Sequence, residues 1–578
     1  MIERIKGYVK KHDELLIFCS VFLIEILFGL ILVSKYGSTI FNVDSSSYLY
    51  HARIVIDNGK YSGIWSLVGT WLPLFQIFLI PFTMIEKLYV TGFAGTIVSA
   101  VMTGGTSVFL YKLAGGRNSR FAILAPVIFM SNIYTLIFGA IAMSEQTAIF
   151  FMAVASYYFK NYLSSGETKP FITCSIALIL GSLVRYEIWA VAVFVSAVFL
   201  VKEIRNNNTH RVAHVHLPEW GIIAWLFMNL LIHRDMLWFN NNASSNRMQT
   251  EVFSKYFFGS IDLTLNHALI EMKMIYGLLL YLAIISIVLI IILSELPPDK
   301  SGGILYKTRD LIPLAIFFIP SALNVALMFE GQSMGWPRFF YISIPGMVLL
   351  TVYFLENISS VLNQRTDIID KLFKGRYSGA TSKIFVTVCI IIGLSVIAVA
   401  IQSGNGTMEY SLKEPDRPWI FQGLDLSENR ISLEIRTEDD VYRNDISFEF
   451  PRRTAYHDYS EIKKYIGTER ILMPAFSMSG NAEEFSVSQG ISPDQIIDSY
   501  DYLEYKNVMA EPWNYTSYVV FPNITREYID KLYGKDRDSY INRYYYNETW
   551  RSLFLSHYTP VFEGEGLKLY ELDRWSGK

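Results

Sequence analysis

Eleven apolar runs, most of them long enough to cross a bilayer, set the architecture before any motif is considered. They lie at residues 15–34, 91–111, 121–140, 147–159, 171–184, 188–201, 220–232, 270–294, 311–329, 339–356 and 384–402. A hydrocarbon core of about 30 Å takes about 20 helical residues. Only segments that satisfy their own backbone polar groups can stand in it. The chain therefore reads as a polytopic α-helical membrane protein with about eleven spans. Its polar content agrees, since only 18% of the 578 residues are charged where a soluble chain carries about 25%.

Orientation follows from the positive charges. Met1 to Glu14 is basic through Arg4, Lys6, Lys10 and Lys11, which predicts a cytoplasmic N-terminus. The run at 66–85 is interrupted by Pro73 and Pro81. If it lies along the outer interface and does not cross, the cytoplasmic loops hold sixteen Lys and Arg and the outer loops five. A crossing would invert that asymmetry against the positive-inside rule. The segment is thus expected to be juxtamembrane, anchored by Trp65 and Trp71. Residues 171–201 are expected as two short spans around an outer turn, Arg185-Tyr186-Glu187, because one helix would bury both charges at mid-membrane.

Beyond Gln402 the sequence turns polar and Tyr-rich and has no spanning run. Residues 1–402 are read as a membrane domain and 403–578 as an extracytoplasmic α+β domain ending in a strand at residues 566–572. The outer domain is expected to bind an acceptor or shape access to it.

Several function classes drop out. The net charge is −3 and no basic patch offers a nucleic-acid surface. The three cysteines, Cys19, Cys174 and Cys389, lie in apolar runs and define no disulfide framework. No Walker loop, dinucleotide fingerprint, CxxC pair or HExxH is present. His210, His214 and His216 read as a solvated cytoplasmic loop, and Gly104-Gly105 as helix packing. What remains is a set of ionisable residues at the outer ends of spans: Asp44, Glu145, Arg185, Glu187, Arg234, Arg247 and Arg338. Each has a bland reading, such as Asp44 or Ser45 capping a short amphipathic helix marked by Tyr48, Ala52, Val55 and Ile56. Gathered at one membrane face, they suit an anionic ligand held in the bilayer. A phosphate is the natural candidate, because arginine grips it by bidentate, charge-assisted bonds.

Five short motifs, in this order and spacing, resemble the GT-C superfamily of integral-membrane glycosyltransferases, in the group of protein O-mannosyltransferase-like and aminoarabinose transferase-like enzymes. They are Asp44 with Tyr48, Ala52 and Gly59; Trp71-Leu72-Pro73-Leu74; Met143-Ser144-Glu145; Arg185-Tyr186-Glu187; and Pro337-Arg338 with Pro345. The resemblance covers about residues 15–402. It implies transfer of a monosaccharide from a polyprenyl-phosphate donor to a protein, lipid or glycan acceptor outside the cytoplasm. Asp44 is then the general base, and Glu145 or Glu187 is the residue to turn to if Asp44 is not. Arg338, Arg185 and Arg247 meet the donor phosphate, and Glu187, Tyr48 and Trp71 complete the site. The first loop reads Val43-Asp44-Ser45-Ser46 and lacks the paired acids of oligosaccharyltransferases, and their Trp-Trp-Asp-Tyr-Gly motif is absent, so no metal cofactor is expected. Two rival readings are a transporter of a lipid-linked anion and a membrane-anchored binding module. A transporter predicts duplicated halves, and the sequence has no internal repeat.

Overall fold

In the computed structural model the described residues are 12–364, apart from 41–42, 58–66, 242–257, 294–304, 334 and 336. Beyond 364 they are 420–421, 435–436, 452–474, 481–498, 505–522, 547–564 and 567–573. The run at 384–402, the boundary at 402/403, Trp65 and Arg247 lie outside them.

The chain is dominated by apolar helices. In order they are α1 (Asp13–Tyr36), α2 (Val43–Asp57), α3 (Pro73–Thr83), α4 (Glu86–Val90), α5 (Phe93–Leu113), α6 (Leu124–Ser131), α7 (Ile133–Ala140), α8 (Glu145–Ser165), α9 (Thr168–Ser182) and α10 (Glu187–Arg205). There follow α11 (Trp220–His233), α12 (Ile261–Tyr276), α13 (Leu278–Leu293), α14 (Ala315–Phe329), α15 (Pro337–Tyr341) and α16 (Ile344–Gln364). Among the described residues, Asp13–Lys35, Phe93–Leu113 and His210–His233 are each long and apolar enough to cross a membrane. Two bent pairs, Ile133–Ala140 with Glu145–Ser165 and Ile261–Lys273 with Leu278–Leu293, satisfy the same condition together. Leu15, Leu23, Leu27, Leu30 and Ile31 of α1 stand exposed, as an apolar row facing lipid must.

Several elements differ from the sequence expectation. The run at 121–140 is not one helix: it breaks at Asn132, whose side chain accepts from Tyr134 N and starts α7 afresh. The run expected at 270–294 begins upstream at Ile261 and breaks at Gly277, where φ is +52°. Only glycine takes that conformation cheaply. The segment at 66–85 yields α3, 11 residues with Pro73 in its first turn, a helix of about 16 Å that is too short to cross. The stretch expected as two short spans at 171–201 does form two helices, Thr168–Ser182 of 15 residues and Glu187–Arg205 of 19, joined at the Arg185 turn.

Glycines set the closest helix contacts. A Cβ on Gly105 would meet the Phe150 ring at 2.5 Å, and one on Gly104 would meet Phe18 at 3.0 Å, so this pair serves helix packing. A Cβ on Gly95 would stand 2.3 Å from Ala142 Cα. That contact seats the non-helical link between α7 and α8, two helices bent by 110°. Thr96 Oγ1 donates to the Ala140 carbonyl at 2.6 Å and Ser99 Oγ to the Ile141 carbonyl at 2.8 Å. Both carbonyls lost helical partners at the bend, and the hydroxyls replace them.

The C-terminal part adds α17 (Arg452–Ile466), α18 (Asn481–Gln489), α19 (Tyr505–Ala510) and α20 (Glu548–Leu555). Besides a short antiparallel pair, Ile420–Phe421 with Ile435–Arg436, its strands are β1 (Ile471–Leu472), β2 (Ile496–Ile497), β3 (Tyr518–Pro522), β4 (Tyr558–Glu563) and β5 (Leu567–Leu572). They form a five-stranded mixed sheet in the order β2-β1-β3-β5-β4, with β1 parallel to β2 and β3 and the remaining pairs antiparallel. Its own core includes Tyr459, Phe485, Val519, Phe521, Phe554 and Leu569. The strand expected at the C-terminal end is β5, an inner strand of the sheet.

Candidate active site

Helix α2 starts at Val43, so Asp44 lies inside the first turn and is not the cap. Its carboxylate suits the positive end of the helix. The helix does not lie open on an interface with one apolar face. Ser45 through Ala52 are all buried, and Val55 and Ile56, expected on one apolar face with Tyr48 and Ala52, are only half-buried. Tyr48, one turn from Asp44, packs edge-on against Phe75 and at a tilt against Trp71, with ring centroids 5.0 Å apart in each case. Burial raises the Tyr48 phenol well above its ordinary range. It therefore acts as a neutral hydrogen-bonding group, and its hydroxyl lies 3.1 Å from Ser144 Oγ.

Ser144 and Glu145 occupy the bend between α7 and α8. Arg185, at the turn between α9 and α10, reaches them both. Its Nη1 donates to Glu145 Oε1 at 2.8 Å and to Ser144 Oγ at 3.3 Å. Its Nη2 donates to Glu187 Oε1 at 2.6 Å and its Nε to Glu187 Oε2 at 3.3 Å. Arg185 is thus clamped bidentately by Glu187 and held from the other side by Glu145, whose side chain is wholly buried.

Arg338 enters from α15. Its Nη1 pairs with Asp44 Oδ2. The Phe339 ring lies under both arginines, 5.3 Å from the Arg338 guanidinium carbon and 5.8 Å from that of Arg185. Such stacking suits a delocalised cation. The turn before Arg338 is held by His267 Nε2, 3.2 Å from the Gly335 carbonyl, and by Ser333 Oγ, which accepts from Gly335 N at 3.2 Å.

Asp44, Tyr48, Trp71, Glu145, Arg185, Glu187 and Arg338 therefore converge, although the chain separates Asp44 from Arg338 by 294 positions. The acids are not equivalent. Asp44 keeps 19% of its side-chain surface exposed and its partner Arg338 keeps 17%, whereas Glu145 keeps none. Asp44 is open to solvent, Glu187 is open to the same degree at 18%, and Glu145 is sealed behind Arg185.

No family model and no curated protein matches the chain. Two solved structures are similar along most of its length. ArnT from Cupriavidus metallidurans, determined with undecaprenyl phosphate, shares 10% identity over 97% of this chain and 98% of its own, with a TM-score of 0.47. The archaeal oligosaccharyltransferase AglB from Archaeoglobus fulgidus, determined with an inhibitory peptide and a dolichol-phosphate, shares 14% identity over 89% of this chain and 70% of its own, with a TM-score of 0.42.

Sequence reasoning missed two members of the cluster. Ser144 was read only as part of the Met143-Ser144-Glu145 motif, yet it links Tyr48 to Arg185. Phe339 has no signal beyond its place after Arg338. Elsewhere, His210, His214 and His216 are exposed, and His216 pairs with Glu219 at 2.9 Å. Arg234 ends α11 in the left-handed region at φ +57°.

Proposed function

We propose that the chain is a GT-C-type glycosyltransferase that moves a monosaccharide from a polyprenyl-phosphate donor to an acceptor hydroxyl at the outer membrane face. The observation that carries this reading is the half-open Asp44–Arg338 pair beside the buried Arg185 clamp. An accessible carboxylate next to a guanidinium stacked on an aromatic ring supplies the two groups that the reaction needs.

In this reading Asp44 takes the proton from the acceptor hydroxyl as its oxygen attacks the anomeric carbon. The new glycosidic C–O bond forms while the bond to the lipid phosphate breaks, and the bonding pair leaves on the phosphate oxygen. Arg338 meets the charge that develops there, since a guanidinium can bridge two oxyanions at once. A single displacement inverts the anomeric configuration. Arg185 adds positive potential, while Glu145 and Glu187 fix its plane. Arg247 is a further proposed phosphate contact. No step calls on a metal. The N-terminus is proposed to be cytoplasmic and the C-terminal domain to lie outside, where the donor sugar is presented.

The experiment is sugar transfer by purified full-length protein in lipid nanodiscs, from a radiolabelled polyprenyl-phosphate sugar to a hydroxyl acceptor. Asp44→Asn keeps the shape of the side chain and removes the base. Its rate is expected to fall by about 10²–10⁴. Near-normal turnover by this variant would end the assignment.

A further inference from the structure

Helix α2 is held on two neighbouring faces by different parts of the chain. One face carries Asp44 and Tyr48 into the site. The other carries Ser47, Tyr50 and His51, spaced at i, i+3 and i+4, onto the C-terminal domain. Ser47 Oγ donates to Glu483 Oε2, and His51 Nε2 lies 3.7 Å from Glu483 Oε1. The Tyr50 hydroxyl donates to Asp498 Oδ2 at 2.6 Å. At the far end Ser492 Oγ donates to Asp57 Oδ2 at 3.1 Å, and Tyr89 of α4 lies 2.8 Å from Ser486 Oγ. Glu483 and Tyr50 are fully buried, Asp498 nearly so, and Val487 of α18 packs into the core of the membrane domain.

We propose that Glu483 and Asp498 are positioning residues that set the place of Asp44 by gripping α2 from the outer domain. The inference rests on Asp44 being the base, as argued above. Its physical content is lever-like. Ser47 is less than one turn from Asp44 and Tyr50 less than two, and a helix transmits a shift at one turn to the next without bending. Releasing either grip lets the helix slide or roll, and proton transfer depends on sub-ångström placement of the carboxylate. Donor binding depends on Arg338 and Arg185, whose backbones belong to α15 and to the turn between α9 and α10 and not to α2.

The test uses full-length protein and four variants. Tyr50→Phe removes one hydroxyl and keeps the ring in its buried slot. Asp498→Ala removes the acceptor, while Asp498→Asn retains an oxygen that accepts from Tyr50. Glu483→Ala removes the acceptor of Ser47. The expected result is that Tyr50→Phe, Asp498→Ala and Glu483→Ala each lower kcat by tenfold or more. Donor Kd should stay within twofold, and Asp498→Asn should recover most of the lost rate. Hydrogen exchange should quicken in the α2 amides of the impaired variants and stay unchanged in strands β3 and β5.

A wild-type kcat for Tyr50→Phe and Asp498→Ala, alongside an impaired Asp44→Asn, overturns the positioning role and leaves the proposed reaction standing. Loss of rate together with quickened exchange throughout the outer sheet also overturns it, because the bonds then serve folding alone. Full activity of Asp44→Asn overturns both readings. The exchange measurement reports on the helix whether or not a variant turns over.

Discussion

Arg338 donates to the carboxylate of Asp44 from a position 294 residues further along the chain. The pairing has a chemical consequence in the proposed site. Each group is occupied by the other until substrates arrive, so an incoming phosphate competes with Asp44 for the guanidinium. Asp44→Asn removes that competitor, and the variant should bind a polyprenyl-phosphate donor as tightly as wild type or more tightly. Arg338→Ala should weaken donor binding about 10- to 100-fold, the worth of a charge-assisted bond. Titration of nanodisc-embedded protein with a fluorescent donor analogue distinguishes the two. Weaker binding by Asp44→Asn would mean that the carboxylate itself contacts the donor.

The Arg185 clamp should matter most for stability. Arg185→Ala strands Glu145, which is wholly buried, and removes the bidentate partner of the half-buried Glu187. Removing one partner of a buried ionic cluster typically costs about 3–5 kcal/mol. The thermal midpoint in detergent should drop by several degrees, with a smaller drop for Glu187→Gln. An unchanged midpoint would show that water reaches the triad.

Gly95→Ala tests the bend between α7 and α8. Its Cβ would approach the Ala142 Cα to 2.3 Å and the Ala142 amide nitrogen to 2.7 Å, so backbone must move. Overpacking of this kind costs about 1–3 kcal/mol, and the displaced link carries Ser144 and Glu145. Activity and thermal stability should fall together. Gly69→Ala, with open space around its Cβ position, is the matched control.

The orientation is open to thiol chemistry. In a background freed of its three native cysteines, an impermeant maleimide applied from outside should modify a cysteine introduced at the exposed Asn514. It should spare one at Arg117 until the membrane is permeabilised. The reverse pattern would invert every span and place the site on the cytoplasmic face.

Much of this arrangement could be read from the sequence, and the rest depended on non-local contacts. Apolar runs and the positive-inside count led to the helices and to the short α9–α10 pair, because both signals are local and repeated. The clustering of Asp44, Arg185 and Arg338 was also legible, since the charge count places each beside the end of a run expected to face outward. The partners were not. That Arg338 meets Asp44 while Arg185 takes both glutamates depends on where α15 and the α9–α10 turn fall in space. The break at Gly277 was hidden because Met274 to Leu280 is apolar and free of proline, so a lone glycine there reads as tolerable inside a helix. The grip on α2 was equally hidden: nothing local in the sequence tells that Glu483 is buried and meets Ser47 and His51, 436 and 432 positions away.

The wiring of the site also orders its assembly in time. Glu145, Arg185 and Glu187 emerge within one short stretch of synthesis, so their clamp can close while the chain is still being inserted. Asp44 must wait for Arg338, and at ribosomal speeds of about 5–20 residues per second the delay is on the order of 15–60 s. The hold of Glu483 and Asp498 on α2 comes later again. The carboxylate made first is therefore the last to reach its final place, and a nascent chain that stalls in the C-terminal domain leaves a helix bundle in which Arg338 can already meet Asp44 while α2 still lacks its partners Glu483 and Asp498.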